Sequence, residues 1–217
     1  RLELAVLDLE IRVRGPLPPG REIVLVMIDD RSVDLLGSWP PPRAKLAEAV
    51  TILATAGARV IGIDVLFAAS PAGPAAADEG DAALAAAIAA AGNVVVPFTF
   101  RFAGPARESR SDFVAQHAYA KLRRSEGFEG LALEPTDVVL PAPAAAGSAD
   151  LGHMLLAFDV DGAPRHDYPV IEFDLDYYPW MAVRIAQRYL RVPWSEVEVD
   201  LGRGIAIGDR FVPTDAR

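Results

Sequence analysis

Cysteine is absent from this chain of 217 residues, which excludes disulfide bonds and thiolate metal sites. Positive charge is scarce, because 21 Lys and Arg face 30 Asp and Glu and the formal charge is −9. Such a chain has no basic stripe with which to neutralise phosphates, so we expect no nucleic-acid partner. His117, His153 and His166 share no metal-binding spacing, and the sequence predicts no cofactor.

Motifs of the common catalytic sites are also missing. The sequence contains no G-x-G-x-x-G, no P-loop, no G-x-S-x-G and no H-E-x-x-H. We therefore predict no catalytic residue and no enzyme activity for this chain. Residues 82–100 are uncharged, but alanine dominates them and Gly92, Asn93 and Pro97 interrupt them, so we do not expect them to span a membrane.

The overall amino-acid composition is typical of a folded globular protein. About half of the residues are apolar (52%), a quarter are charged (24%), and 217 residues suffice for one substantial core. The chain opens in a helical pattern at Arg1, without an initiator methionine or a signal peptide, and it closes on PTDAR. We therefore expect it to be a piece excised from a longer protein.

Residues 22–67 are predicted to form a strand, a crossover helix and a second strand. Residues 23–28 (IVLVMI) are a short apolar run rich in β-branched side chains, typical of a strand that is buried on both faces. Apolar residues at helical spacing from 46 to 54, followed by Gly57, predict the helix. Residues 60–67 (VIGIDVLF) form the second strand, and a right-handed crossover makes the two strands parallel.

The rest of the chain extends this unit. A helix that begins with three acidic residues and ends at Gly92, and a strand over residues 94–100, complete a β-α-β-α-β order within residues 22–102. Alternating apolar residues separated by glycine turns predict an antiparallel meander near the C-terminus. The predicted fold class is α/β, with a βαβαβ parallel-sheet core, helices on its faces and an antiparallel C-terminal elaboration.

We expect a single domain, residues 1–217, with four parts. They are an opening helix (residues 1–14), the parallel α/β core (22–102), a polar excursion (103–137) and the C-terminal elaboration (138–217). The opening helix has a wide apolar face, which suits packing in a core, continuation from a membrane span or pairing with another subunit. These three interpretations stay open at this point.

Carboxylates lie near the predicted ends of the first two strands. Asp29 and Asp30 follow the first strand, and Asp64 lies within the second. Ligands bind at the carboxyl ends of parallel strands, so these residues are candidate ligand contacts, and clustered oxygens would also suit Mg²⁺ or acid–base work. Arg43, in the first turn of the crossover helix, is a candidate clamp for an anion or a carboxylate. The structural alternative is that these aspartates bond loop amides or pair with arginines.

A second acidic segment is predicted to border this site. Asp159-Val160-Asp161-Gly162 resembles the beginning of a calcium loop, but the twelfth residue is Val170 rather than glutamate, so a turn is the better interpretation. Asp161 and Arg165 flank this turn and complete the set of candidate ligand contacts. Whether the site holds a metal ion stays open.

Several segments, in this order, resemble the CHASE2 domain family: VLVMIDDRSVDLLGSWPPPRAKLAEAV, AGARVIGIDVLF, GDAAL with GNVV, GHMLLAFDVDGAPRHDYPV, YPWMAVRIA and IAIGDRFVPTD. The resemblance covers nearly the whole chain. Pro41 departs from the family, which commonly has an aromatic residue there. The chain also ends just after residues 213–215, before a further strand that the family implies, so we expect the C-terminal part to be truncated.

The resemblance implies a periplasmic sensory domain of a bacterial inner-membrane receptor. A membrane span would precede the opening helix, and further spans would lead to a cytoplasmic output such as an adenylate or guanylate cyclase, a diguanylate cyclase, or a histidine or Ser/Thr kinase. The implied partner is an unidentified small-molecule ligand, and a second copy of the chain is a further candidate partner. The parent protein is thus expected to be a membrane-anchored signalling enzyme.

Two other classes of function stay open. A metal-dependent α/β hydrolase could use Asp29, Asp30 and Asp64, although the sequence provides no base, nucleophile or phosphate loop for it. A ligand-free dimerisation module could use the opening helix and an exposed sheet edge.

Overall fold

The computed structural model describes residues 2–18, 20–66, 79–104, 112–126, 128, 130, 133–156 and 158–214. The chain divides into two compact units, Arg1–Trp39 and Pro40–Arg217. The smaller unit contains two helices, α1 (Leu2–Arg14) and α2 (Asp30–Leu36). α1 confirms the predicted opening helix. α2 ends at Gly37, whose φ of 78° is the left-handed conformation that a helix end commonly requires.

The strand predicted over residues 23–28 is wrong. These residues have no regular secondary structure and belong to none of the described sheets. Five consecutive apolar side chains in this segment are between 65% and 79% exposed: Ile23, Val24, Leu25, Val26 and Met27. An apolar run becomes a strand only where a neighbouring strand takes up its backbone hydrogen bonds, and the run itself does not specify that neighbour.

The larger unit confirms the α/β fold class. In chain order it contains α3 (Arg43–Thr55), β1 (Ile61–Gly62), α4 (Glu79–Ala91), β2 (Val94–Arg101), α5 (Asp112–Ala115), β3 (Lys121–Arg124), β4 (Asp137–Val139), α6 (Pro143–Ala146), β5 (Asp150–His153), β6 (Val170–Phe173), β7 (Asp176–Pro179), α7 (Met181–Leu190), β8 (Val197–Leu201), β9 (Gly204–Ile207) and β10 (Arg210–Pro213).

The central strand of this unit is β2. It pairs in parallel with β1 and β5, and antiparallel with β4. Its residues are almost all buried, as expected for the apolar sequence VVVPFTF in a strand covered on both faces. A parallel core with α4 in the crossover between β1 and β2 is therefore confirmed, although β5, rather than residues 23–28, supplies its third parallel strand.

Two glycines of this sheet leave room for α7. A Cβ atom at Gly152 would lie 2.5 Å from Cα of Met181, and one at Gly62 would lie 2.7 Å from Cδ1 of Ile185. α7 therefore lies against β5 and β1 at a distance that a side chain on either glycine would prevent. This contact holds α7 beside the strand that begins at Asp150.

The antiparallel C-terminal elaboration is also confirmed. A second sheet has the order β10-β9-β8-β3, with turns at Gly202 and Gly208, whose φ values of 87° and 60° are left-handed. β3 joins this sheet parallel to β8 and comes from the segment that was predicted to be a polar excursion, residues 103–137. β6 and β7 form a separate antiparallel hairpin.

Candidate functional site

The two aspartates predicted after the first strand lie at the beginning of α2. Asp29 caps this helix, because its Oδ1 accepts hydrogen bonds from two atoms of Ser32, Oγ (2.6 Å) and the backbone N (2.8 Å). These two bonds favour the charged carboxylate and hold the pKa of Asp29 below its usual value. Asp30 is the exposed first residue of α2, where negative charge complements the helix dipole.

Arg43 and Asp64 lie in the larger unit. Arg43 begins α3 and forms a salt bridge with Asp81, a buried residue in the first turn of α4, so this pair joins the two helices. Asp64 is exposed and lies two residues beyond β1. The prediction that Asp64 lies inside a strand is therefore wrong, because the strand ends at Gly62.

Asp161 and Arg165 form a compact ion cluster with Asp159. Nη1 and Nη2 of Arg165 each donate to one carboxylate oxygen of Asp161 at 2.8 Å, and Nη1 also donates to Asp159 at 3.0 Å. These hydrogen bonds from Arg165 lower the pKa of Asp161 to about 2. The predicted turn is confirmed, with Gly162 at a φ of 81°. Two carboxylates therefore surround one guanidinium.

Four of the six predicted residues have identified partners, whereas Asp30 and Asp64 are exposed. Asp29 and Asp30 begin a helix in the smaller unit, whereas Arg43 pairs with Asp81 and Arg165 pairs with Asp161 in the larger one. Across the described ranges, no three His, Asp or Glu side chains are grouped so that they could hold a metal ion. Contact with a ligand stays a prediction for all six residues.

A different charged cluster lines a pocket at the C-terminal end of α7. The pocket has a volume of about 490 Å³. Its lining includes Asp150, Arg184, Gln187, Arg188, Arg191 and Trp194. Three arginines against one aspartate give these residues a local charge of +2, in a chain whose formal charge is −9. A concave positive region of this kind attracts anions.

Arg184 is the buried member of this cluster and is only 4% exposed. Its Nη2 donates to Oδ1 of Asp150, and its guanidinium carbon lies 4.0 Å from the ring centre of Trp194. Within the described part of the chain, Nε and Nη1 of Arg184 have no hydrogen-bond partner. A buried donor without an acceptor costs about 1–3 kcal/mol of folding free energy, and more when it is charged. Arg184 bears this cost because the described residues of the site provide no acceptor for two of its nitrogens.

The neighbours of Arg184 do not supply that acceptor. Nε of Arg188 donates to Oδ2 of Asp150, so both carboxylate oxygens of Asp150 already accept from arginines. Nε2 of Gln187 donates to the carbonyl of Val192, whereas Oε1 of Gln187 has no partner among the described residues. Arg184 therefore has unused donors and Gln187 an unused acceptor, and these buried atoms lie behind the pocket surface that the two residues line.

An aromatic wall supports the cluster. Nε1 of Trp194 donates to the carbonyl of Ala118 (2.9 Å), and its ring stacks on Tyr119 with 5.1 Å between ring centres. Burial, followed by the positive charge of Arg184, lowers the pKa of His117 to about 4, and Asp150 opposes this shift. His117 is therefore neutral at pH 7, and arginines carry the positive charge here.

This pocket was not predicted from the sequence. One signal for it was present, because Arg184 and Arg188 lie four residues apart and so share one face of α7, whereas Arg191 is the left-handed residue that follows this helix. Asp150, the carboxylate partner of Arg184 and Arg188, precedes Arg184 by 34 positions. No local pattern connects the two segments, so their meeting depends on the packing of α7 against β5.

The larger unit is thus an α/β domain with a positively charged pocket at the end of α7. A model of one family, the CHASE2 domain, matches residues 1–216 of the chain. The chain therefore belongs to the CHASE2 domain family, which comprises extracellular, non-catalytic sensory domains found in signalling receptors. Searches of curated proteins and of solved structures found no match. None of the described helices is both long and apolar enough to cross a membrane.

Proposed function

We propose that this chain is the extracytoplasmic ligand-sensing domain of a membrane-bound bacterial receptor and that it controls a cytoplasmic output such as a nucleotide cyclase or a kinase. The observation that carries this proposal is the family match over residues 1–216, because members of the family are sensory domains of signalling receptors. A pocket of about 490 Å³ supports it, since sites for small molecules generally have volumes of this order.

Sensing requires two arrangements of the domain that differ in their affinity for the ligand. α1 is the segment we expect nearest to the membrane, and its residues Val6, Leu9 and Val13 are 48–78% exposed. These side chains are available to contact a membrane segment or a second copy of the chain. We propose that the signal leaves the domain through α1.

The test uses the full-length parent protein in bacterial spheroplasts. Proteinase K added outside should cleave this domain and spare the output domain, and deletion of residues 40–214 should remove regulation of the output while its basal activity persists. A soluble cytoplasmic protein in the same cells serves as the control for intact membranes. If this domain resists the protease until the spheroplasts are lysed, the proposal is wrong.

A second candidate function, dimerisation with another copy of the chain, is favoured by one observation. Residues 23–27 expose five adjacent apolar side chains, and monomeric proteins rarely leave such a patch in water. We expect the purified chain to be dimeric at micromolar concentration and Val24→Lys to yield monomers. Sedimentation equilibrium measures the mass, and Thr51→Lys, at an exposed position on α3, is the control. A monomeric wild-type chain would remove this candidate.

A further inference from the structure

We infer that the pocket at the end of α7 binds the oxyanion group, a carboxylate or a phosphate, of a small metabolite and that Arg184 is its buried contact. The physiological meaning of this binding rests on the proposed sensory function, whereas the argument for the binding itself rests on the geometry of the pocket.

The first step of the argument concerns hydrogen bonding. A guanidinium carries five N–H donors in a planar fork, which suits the paired oxygens of a carboxylate or a phosphate. In Arg184 only Nη2 has an acceptor, because Nε and Nη1 are buried and find no partner within the described ranges. These two atoms are closed to solvent, although Arg184 lines the pocket. An oxyanion in the pocket would supply acceptors to them once the Arg184 side chain turns toward it.

The second step concerns charge. Arg184 and Arg188 share the single carboxylate of Asp150, and Arg191 adds a third positive charge to the lining. Burial of a charge is costly unless an opposite charge compensates it. A bound anion would bring this cluster close to neutrality, as Asp159 and Asp161 already do for Arg165.

The third step concerns the rest of the ligand. Val192, Pro193 and Trp194 give the pocket apolar surface, and its volume of about 490 Å³ exceeds the space that a bare inorganic ion needs. The buried, unpartnered Oε1 of Gln187 would accept a hydrogen bond from a hydroxyl or an amino group once the side chain turns toward the pocket. A small organic acid or phosphate ester that carries such a donor therefore fits the lining better than an inorganic ion does.

The test measures binding of inorganic phosphate, succinate and uncharged succinamide to the whole 217-residue chain by isothermal titration calorimetry. Sodium chloride keeps the ionic strength constant, because a screened interaction with net charge would otherwise imitate binding. We expect at least one of the two anions to bind and succinamide not to bind. Phosphate alone would indicate a phosphate ester as the natural ligand, succinate alone a carboxylate, and binding of both the shared oxyanion chemistry.

A pair of double variants locates the site. Arg188→Gln with Arg191→Gln should raise the Kd by at least about tenfold while leaving the buried Arg184 in place. Arg203→Gln with Arg210→Gln removes the same charge from two exposed positions on the second sheet and should leave the Kd unchanged. The indole N–H resonance of Trp194 should also shift when the anion binds.

Either of two results would overturn the inference. One is that neither phosphate nor succinate binds at 20 mM, a concentration about the upper end of the Kd of a weak specific site. The other is an equal loss of affinity in both double variants. These results are distinguishable from failure of the proposed function. A domain that binds neither anion but is cleaved outside spheroplasts would remain a sensory domain, whereas a domain that binds an anion but is protected from protease would keep its pocket and lose the receptor role.

Discussion

Two buried arginines of this domain have opposite charge balances around them. The side chain of Arg165 is 6% exposed and has two carboxylate partners, Asp159 and Asp161. The side chain of Arg184 is 5% exposed and shares one carboxylate, that of Asp150, with Arg188. The first cluster is complete within itself, whereas the second lacks an acceptor. Burial of an arginine therefore does not by itself mark a binding site, and the number of carboxylates around it separates the two cases.

The two clusters also differ in how they are assembled. The Arg165 cluster lies within one turn of the chain, so a short sequence pattern brings its members together. The Arg184 cluster joins the beginning of β5 to α7 and depends on the close contact between Gly152 and Met181. A cluster that depends on tertiary packing can respond when that packing changes, which is what a sensor requires.

The largest effect is expected for Asp150→Asn, which leaves Arg184 buried without any carboxylate. We expect the free energy of unfolding to fall by about 3 kcal/mol, because removal of one partner leaves an uncompensated buried charge. Urea denaturation measures the loss. Added phosphate should recover more stability in this variant than in the wild type. If the variant is as stable as the wild type, the contrast between the two arginines fails.

A smaller loss, about 2 kcal/mol, is expected for Arg184→Met. Asp150 keeps Arg188 as a partner, while Trp194 loses its cation–π contact. Removal of the positive charge should also move the pKa of His117 upward from about 4. An NMR titration measures this change, and His153, whose pKa is lowered by burial, is the internal reference. An unchanged pKa of His117 would mean that Arg184 does not act on it.

For Arg165→Met we expect a loss of about 1 kcal/mol, because its partners Asp159 and Asp161 are closer to solvent. The pKa of Asp161 should return from about 2 toward its usual value of 3.8. A lowered carboxylate pKa contributes stability above pH 3.8 that is lost as the pH falls toward 2. Urea denaturation between pH 5 and pH 2 should show a shallower acid dependence in the variant, and an unchanged dependence would contradict this.

The smallest effect is expected for His117→Gln near the Arg184 cluster. The folded pKa of about 4 lies below the usual 6.5, so the unfolded chain binds the proton first as the pH falls. This histidine thus contributes stability above pH 6.5 that declines between pH 6.5 and pH 4, by less than about 1 kcal/mol at pH 6. Thermal unfolding at pH 7 and pH 6 should differ less in the variant, and an identical difference in both proteins would contradict the assignment.

Local rules account for the parts of the fold that were predicted correctly. The acidic first turn of α4, the apolar run of β2 and the glycine turns of the C-terminal meander each act through neighbouring residues, and each element was predicted close to its observed bounds. Residues 23–28 have a similarly apolar sequence but pair with none of the described strands, so the same rule failed there. Apolar character indicates what can pair, and tertiary structure determines what does.

The candidate site was predicted less well than the fold. Asp161 and Arg165 contact one another because they lie four residues apart, a spacing that the sequence displays. Asp150 and Arg184 lie 34 residues apart, and their contact follows from two glycines that let α7 approach the sheet. Gly62 and Gly152 were present in the sequence, but a glycine in a strand does not reveal which element will occupy the space beside it.

Residues 23–28 also have the composition of a segment that seeds cross-β aggregation, with six apolar residues, no charge, no proline and no glycine. Charged residues flank it on both sides, Arg21 and Glu22 before it and Asp29 and Asp30 after it. Such flanking charges act as gatekeepers that keep unfolded chains from joining one another. Every chain passes through an unfolded stage during synthesis, so we expect Asp29 and Asp30 to protect this protein before there is a folded domain for any ligand to reach.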